Sequence, residues 1–299
     1  MTWKQLKYTM RKPEVIAKML MVSVLFLLGL REQLDLLDGF CANLNGAGQM
    51  NTGTFLIHAF NYFDFYLNLL LIGLVMLVPD FAQEEFLTAH IIMRNKSRFR
   101  AGLSLLGKVM LYMFIYMMWF VMLAVLLSGI LLQNFSAQWP EFLPRIYMGL
   151  DLSPNAPSMS LIMIPKSALS LPMPAVLLLV LLRSYLGFVV LAWIACFVIL
   201  ISGNSGHGIA CLLFLLSFTA FIYYTNIGRI SYYVQMATHH INLLPFTVFP
   251  FFTFRGLGVD FVSSIRSALT YEAVCLLLLG IGILLYYRKG DLGDANRNV

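Results

Sequence analysis

The sequence predicts an all-α integral membrane protein of about six transmembrane helices, and three observations carry that expectation. Hydrophobic residues fill 60% of the 299 positions and charged residues only 11%, against about 25% charged in a soluble domain. Several apolar runs reach the roughly 20 residues that a helix needs to cross a hydrocarbon core of about 30 Å. The basic residues stand beside those runs rather than on a separate polar surface, so the net charge of +6 reads as membrane topology and not as a nucleic-acid-binding face. Helices are the expected spanning elements because each satisfies its own backbone in hydrocarbon.

Six spans follow from the apolar runs: 15–34, 55–78, 102–132, 175–201, 209–227 and 271–287. The first follows Lys4, Lys7, Arg11 and Lys12, a basic start that also opens secretory signals, but no small-x-small cleavage site follows closely. Lys18 inside it must snorkel toward headgroups, and Leu34, Leu36 and Leu37 offer a continuation past Arg31. The third span is overlong for a bilayer. Between spans four and five the small, polar turn Ser202-Gly203-Asn204-Ser205-Gly206-His207-Gly208 predicts a tight helical hairpin. The last span ends in Tyr286-Tyr287-Arg288-Lys289, aromatic residues and then cations, as at a cytoplasmic interface.

Counting Lys and Arg sets the orientation. With the N-terminus inside, thirteen cations lie on the cytoplasmic side: Lys4, Lys7, Arg11, Lys12, Lys18, Arg94, Lys96, Arg98, Arg100, Lys108, Arg288, Lys289 and Arg297. Six lie outside, in longer loops: Arg31, Arg145, Lys166, Arg229, Arg255 and Arg266. Arg183 falls within a span. Both termini are therefore expected to be cytoplasmic, in a multi-pass protein of a cell membrane.

The outer loops differ in kind. Segment 133–174 holds seven prolines and predicts an ordered or partly extended cap. Segment 243–254, with Pro245-Phe246 and Pro250-Phe251 in an apolar aromatic run, is too short to span and is broken twice. It fits a re-entrant hairpin shielded by the bundle, or an aromatic belt at the interface.

Chemistry-bearing motifs are few. Gly102-Leu103-Ser104-Leu105-Leu106-Gly107-Lys108 matches a phosphate-loop spacing, but Val109 stands where Ser or Thr is required and the segment opens an apolar helix. His58, His90, His207, His239 and His240 are dispersed, and the four cysteines show neither metal spacing nor a disulfide framework. No catalytic residue, metal or bound cofactor is expected in this chain. Inside the spans, Asn61, Asp64 and Asn68 recur at helical spacing, and Asp64 and Arg183 lie at similar depth. They either line a transport path and pair, or supply interhelical hydrogen bonds while Arg183 snorkels. On the cytoplasmic side, Pro79 and Asp80 are expected to end span two and to begin a short helix, Phe81 to Met93, acidic at its start and followed by Arg94 to Arg100.

This arrangement resembles the permease subunits of ABC-2 type ABC transporters over nearly the whole chain. The resemblance rests on the basic amphipathic N-terminal segment, the acidic-then-basic loop between spans two and three, the tight loop between four and five, the outer apolar hairpin before span six, and the Arg288-Lys289-Gly290-Asp291 end. It implies that Phe81 to Met93 is a coupling helix that docks on an ATPase, with Gln83, Glu84, Glu85 and His90 at the contact. It also implies a re-entrant Leu243 to Phe254 hairpin, a second transmembrane subunit, and ATP with Mg on separate ABC ATPase subunits. The expected function is then that of an exporter permease, not itself an enzyme, for an amphipathic or hydrophobic substrate. Two rivals stand beside it: an ion-coupled secondary transporter, for which only Asp64 and Arg183 offer mid-membrane charge, and an intramembrane lipid-modifying enzyme.

Overall fold

The structure, a computed structural model, describes residues 12–42, 50–61, 70–86, 98–147, 164, 166–226 and 261–289. Among them every regular element is helical. In chain order these are α1 (Pro13–Ala42), α2 (Thr52–Ala59), α3 (Leu71–Phe86), α4 (Arg98–Leu132), the short α5 (Phe142–Tyr147), a 3-10 turn at Lys166–Ser170, α6 (Met173–Ser202), α7 (Ser205–Asn226) and α8 (Phe261–Lys289). Five contain stretches long and apolar enough to cross a membrane: Pro13–Asp35, Phe99–Leu132, Met173–Ser202, Ser205–Ile222 and Phe261–Tyr287. The chain is thus a multi-pass helical membrane protein.

The central element is α6, which packs against α2, α3, α4, α7 and α8. Its buried residues close around the whole circumference from Gly187 to Trp193. Helix α2 is also buried on nearly every residue, whereas α1, α4, α7 and α8 each bury one side. On α1 the stripe is Val22, Phe26, Leu30, Leu34 and Leu37, while Leu20, Val24 and Leu28 face outward, the three-to-four-residue repeat of a helix with one packed side. The continuation of α1 past Arg31 follows from that stripe. Rings then link α1, α4 and α6: Phe26 meets Phe120 at 4.8 Å, Phe120 meets Tyr116 at 4.8 Å, and Tyr116 meets Phe188 at 5.7 Å, all edge-on.

Backbone and side-chain hydrogen bonds gather several helix termini at one end of the bundle. Thr52 N–H donates to the Asn134 carbonyl just beyond α4 (2.9 Å). Asn51 caps α2 by accepting from Thr54 N–H (2.8 Å) and donates to the Gln138 carbonyl (2.7 Å). Trp139 Nε1 donates to the Leu171 carbonyl (2.8 Å), and Phe261 N–H donates to Ser167 Oγ (2.8 Å). The starts of α2, α6 and α8 and the end of α4 therefore lie together. Where it is described, the proline-rich segment has no regular structure at 133–136, with Gln133 at φ 50°, then the short α5 and the 3-10 turn.

At the opposite end α6 turns directly into α7. Gly203 adopts φ 67°, which favours glycine, and its N–H closes on the Ile199 carbonyl at 2.8 Å. Asn204 Oδ1 then accepts from Gly206 N–H at 2.8 Å. At Gly208 an added Cβ would lie 3.2 Å from the Ala195 carbonyl, so the small residue permits the two backbones to approach.

The structure departs from the sequence expectations in three places. The apolar run 55–78 is two helices in the described residues: α2 stops at Ala59, with Phe60 N–H on Leu56 O (2.9 Å) and Asn61 N–H on His58 O (3.1 Å), and α3 begins at Leu71. Tyr116 Oη donates to the Leu70 carbonyl at 2.8 Å, tying α4 to the residue that precedes α3. Secondly, Pro79 and Asp80 do not end a helix, because α3 runs through both to Phe86. Proline removes one backbone donor, and one turn earlier Lys18 Nζ donates to the Met76 carbonyl (3.3 Å), tying α1 to the turn that proline loosens. Thirdly, the last helix begins at Phe261 rather than near 271.

Candidate functional site

The third departure creates the site. Moving the start of α8 to Phe261 places Glu272 eleven residues into the helix, about 16 Å along its axis. Arg183 lies ten residues into α6, about 15 Å from its start. Because the Phe261–Ser167 hydrogen bond holds the two starts together, the guanidinium and the carboxylate arrive at one level.

Both side chains are wholly buried, at 0% exposure. Glu272 belongs to the stripe Phe261, Ile265, Ala268, Glu272 that α8 turns inward, while its neighbours Tyr271 and Val274 face outward. Arg183 occupies the core-facing side of α6 with Val176 and Val180. Arg183 Nη2 donates to Asn61 Oδ1 at 3.1 Å, and Asn61 is 3% exposed in the turn that ends α2. The negative end of the α2 dipole therefore lies beside a cation, a favourable arrangement. One turn back on α2, the His58 ring stands 3.4 Å from Gln33 Oε1 of α1. The charge of Arg183 acts on Glu272, yet Arg183 donates to neither carboxylate oxygen, and among the described residues nothing else does. The centre thus brings together a guanidinium, an amide and a carboxylate.

Asn61 and Arg183, both singled out from the sequence, are in direct contact. Asp64 and Asn68, the other members of that polar stripe, lie outside the described residues, as do His90 and the hairpin residues Pro245, Phe246, Pro250 and Phe251. Gln83, Glu84 and Glu85 occupy the last turns of α3, so the first half of the expected coupling segment is helical but continuous with the apolar stretch that begins at Leu71. Arg183 is not a snorkelling residue.

Sequence reasoning missed Glu272. Asp64 and Arg183 were expected to be the only mid-membrane charges, and the buried Glu272 corrects that expectation. The available signal was the repeat 261, 265, 268, 272, hidden by Ser263, Ser264, Arg266, Ser267 and Thr270, which lower the local hydropathy. Lys108 is 4% exposed, ten residues into α4. The phosphate-loop-like segment Gly102 to Lys108 is a regular part of α4. Among the described residues no cluster of His, Cys, Asp or Glu is arranged to hold a metal.

Comparison of the chain with protein-family models, curated proteins and solved structures finds no match.

Proposed function

We propose that the chain is the transmembrane permease subunit of an ATP-driven exporter resembling the ABC-2 type, moving an amphipathic or hydrophobic substrate with energy from separate ABC ATPase subunits. The observation that carries this reading is the continuity of α3. One helix runs from Leu70, beside the Tyr116 hydroxyl in the core, to Glu84 and Glu85 at its other end. A push on the acidic end by a docked ATPase reaches the interior as a rigid displacement rather than being lost in a loop. In this reading Gln83, Glu84, Glu85 and His90 meet the ATPase at the cytoplasmic face, a second six-helix subunit completes the path, and Pro245 to Phe251 forms the re-entrant outer hairpin.

A second reading has a specific observation behind it. A carboxylate and a guanidinium buried at one depth are what an ion-coupled transporter uses, and Glu272 adds the member the sequence reading lacked. The experiment is purification of the chain from its native membrane in mild detergent. The exporter reading expects a soluble ATPase to accompany it and the Glu84→Lys, Glu85→Lys double variant to uncouple ATP hydrolysis from transport. Transport by the chain alone in proteoliposomes, driven by an ion gradient, overturns that reading in favour of the second.

A further inference from the structure

Two close contacts fix how the start of α4 lies against the end of α8. A Cβ added at Gly280 would stand 4.0 Å from Leu106 Cδ1, and one added at Gly102 would stand 3.0 Å from Leu284 Cδ2. The helices therefore run antiparallel in one register, 106 opposite 280 and 102 opposite 284. One further turn brings Arg98 opposite Arg288, with Lys289 beside it. The apolar stretches of the two helices begin at Phe99 and end at Tyr287, so the three cations stand at head-group level on one face of the membrane. Packed helices lie about 8–10 Å apart, comparable with the Debye length in ordinary buffer, so these like charges repel. Arg100 is not counted among them, because it has an interaction of its own within the chain. Glu84 and Glu85 belong to α3, which packs chiefly on α1, α6 and α7 rather than along this seam.

We propose that the seam between the start of α4 and the end of α8 binds the head group of an anionic phospholipid with two phosphates, the chemistry of cardiolipin. Arginine forks take phosphate oxygens in pairs, and lysine adds a point charge. One phosphate would leave most of the positive charge standing. Two linked phosphates, set between Arg98 on one helix and Arg288 and Lys289 on the other, bring the site close to neutrality, which is why basic pockets between membrane helices suit such head groups. The acyl chains find an apolar surface at the same level, where Leu103 and Leu285 face outward. One turn deeper, a Cβ added at Gly107 would meet nothing within 4 Å, which leaves a notch in that surface. The lipid arrives from the bilayer and the bundle need not open.

Native mass spectrometry of the purified full-length chain tests this, with equal amounts of cardiolipin, phosphatidylglycerol and phosphatidylcholine added in detergent. Cardiolipin is expected to stay bound, phosphatidylglycerol several-fold less and phosphatidylcholine not at all. The Arg98→Gln, Arg288→Gln variant should lower cardiolipin retention about thirtyfold, the change that losing two cations of this kind produces. Lys4→Gln, Lys7→Gln, which removes equal charge elsewhere, should leave retention unchanged. Because cations also set topology, a third variant keeps all of them: Gly102→Leu drives a side chain into Leu284 and Tyr287 and spreads the seam. It should lower retention too, with helix content by circular dichroism unchanged. Equal retention of cardiolipin and phosphatidylglycerol, undiminished retention in either seam variant, or equal loss in the Lys4, Lys7 variant would each overturn the proposal. So would absence of cardiolipin from the wild type with its appearance on Asp291→Asn, Asp294→Asn, which would make the chain's own tail the occupant.

Discussion

Two helices of the bundle, α6 and α8, are similar in length and both strongly apolar, yet they live in opposite surroundings. Within the membrane-crossing window 67% of α6 is buried, against 17% of α8. In water such a difference would be written in composition, with polar residues on the exposed side. In lipid it is not, because the surrounding tails are as apolar as the core and exert no hydrophobic pull toward the interior. What separates the two helices is shape and polarity. Helix α6 carries Ser184, Gly187, Ala192 and Ala195 where neighbours press close, and Arg183 where they supply partners. Helix α8 lets Leu277, Leu278 and Ile281 face the tails and turns Glu272 inward.

The largest way to break the contrast is to remove the charge from α6. Arg183→Leu leaves Glu272 buried beside no cation and takes the donor from Asn61, a loss expected at about 3–5 kcal/mol. Thermal unfolding in detergent reads it as a lowered midpoint. The double variant Arg183→Leu, Glu272→Leu should recover part of that stability, since no uncompensated charge remains. No recovery would mean that the two charges are not coupled.

Gly208→Val tests the close packing of α6 instead. The new side chain meets Ile199 and the Ala195 carbonyl, and overpacking of this kind costs about 1–3 kcal/mol. Equilibrium unfolding should show it, with helicity by circular dichroism unchanged at low temperature. Tyr116→Phe removes only the hydrogen bond to Leu70, for a loss of about 1 kcal/mol. Hydrogen exchange near the start of α3 should rise in that variant. The smallest effect belongs to the outer face of α8: Leu277→Ala, at a residue 64% exposed, should change stability by less than about 0.5 kcal/mol. A large effect there would mean that the face is covered by protein rather than by lipid.

Much of the fold was legible because the bilayer imposes length. Spans four and five were placed within four residues of the observed helices, and the Gly203 turn announced their hairpin. The run 55–78 was not legible as two helices, because no Gly or Pro marks the stop at Ala59. The sequence records that break only as Asn61, a residue whose meaning depends on Arg183 far along the chain. Pro79 misled in the other direction, since a proline signals a break yet a membrane helix carries one when a neighbour such as Lys18 reaches the loosened turn. Of the site, Asn61 and Arg183 were legible as rare polar residues in apolar runs. Glu272 was not, because hydropathy averages over faces and cannot see a polar residue on the buried side of a mixed segment.

The Gly203 turn also bears on biogenesis. With Ser202 ending one helix and Ser205 beginning the next, only the two-residue turn Gly203-Asn204 separates α6 from α7, so the two enter the bilayer as a single hairpin. Arg183 goes in with them, against an insertion cost of about 2.5–3.5 kcal/mol that the long apolar remainder of α6 offsets. When it arrives, Asn61 has already been synthesised and Glu272 has not. The order of the chain thus gives the arginine an amide partner first and completes the charge centre only when the last helix is inserted.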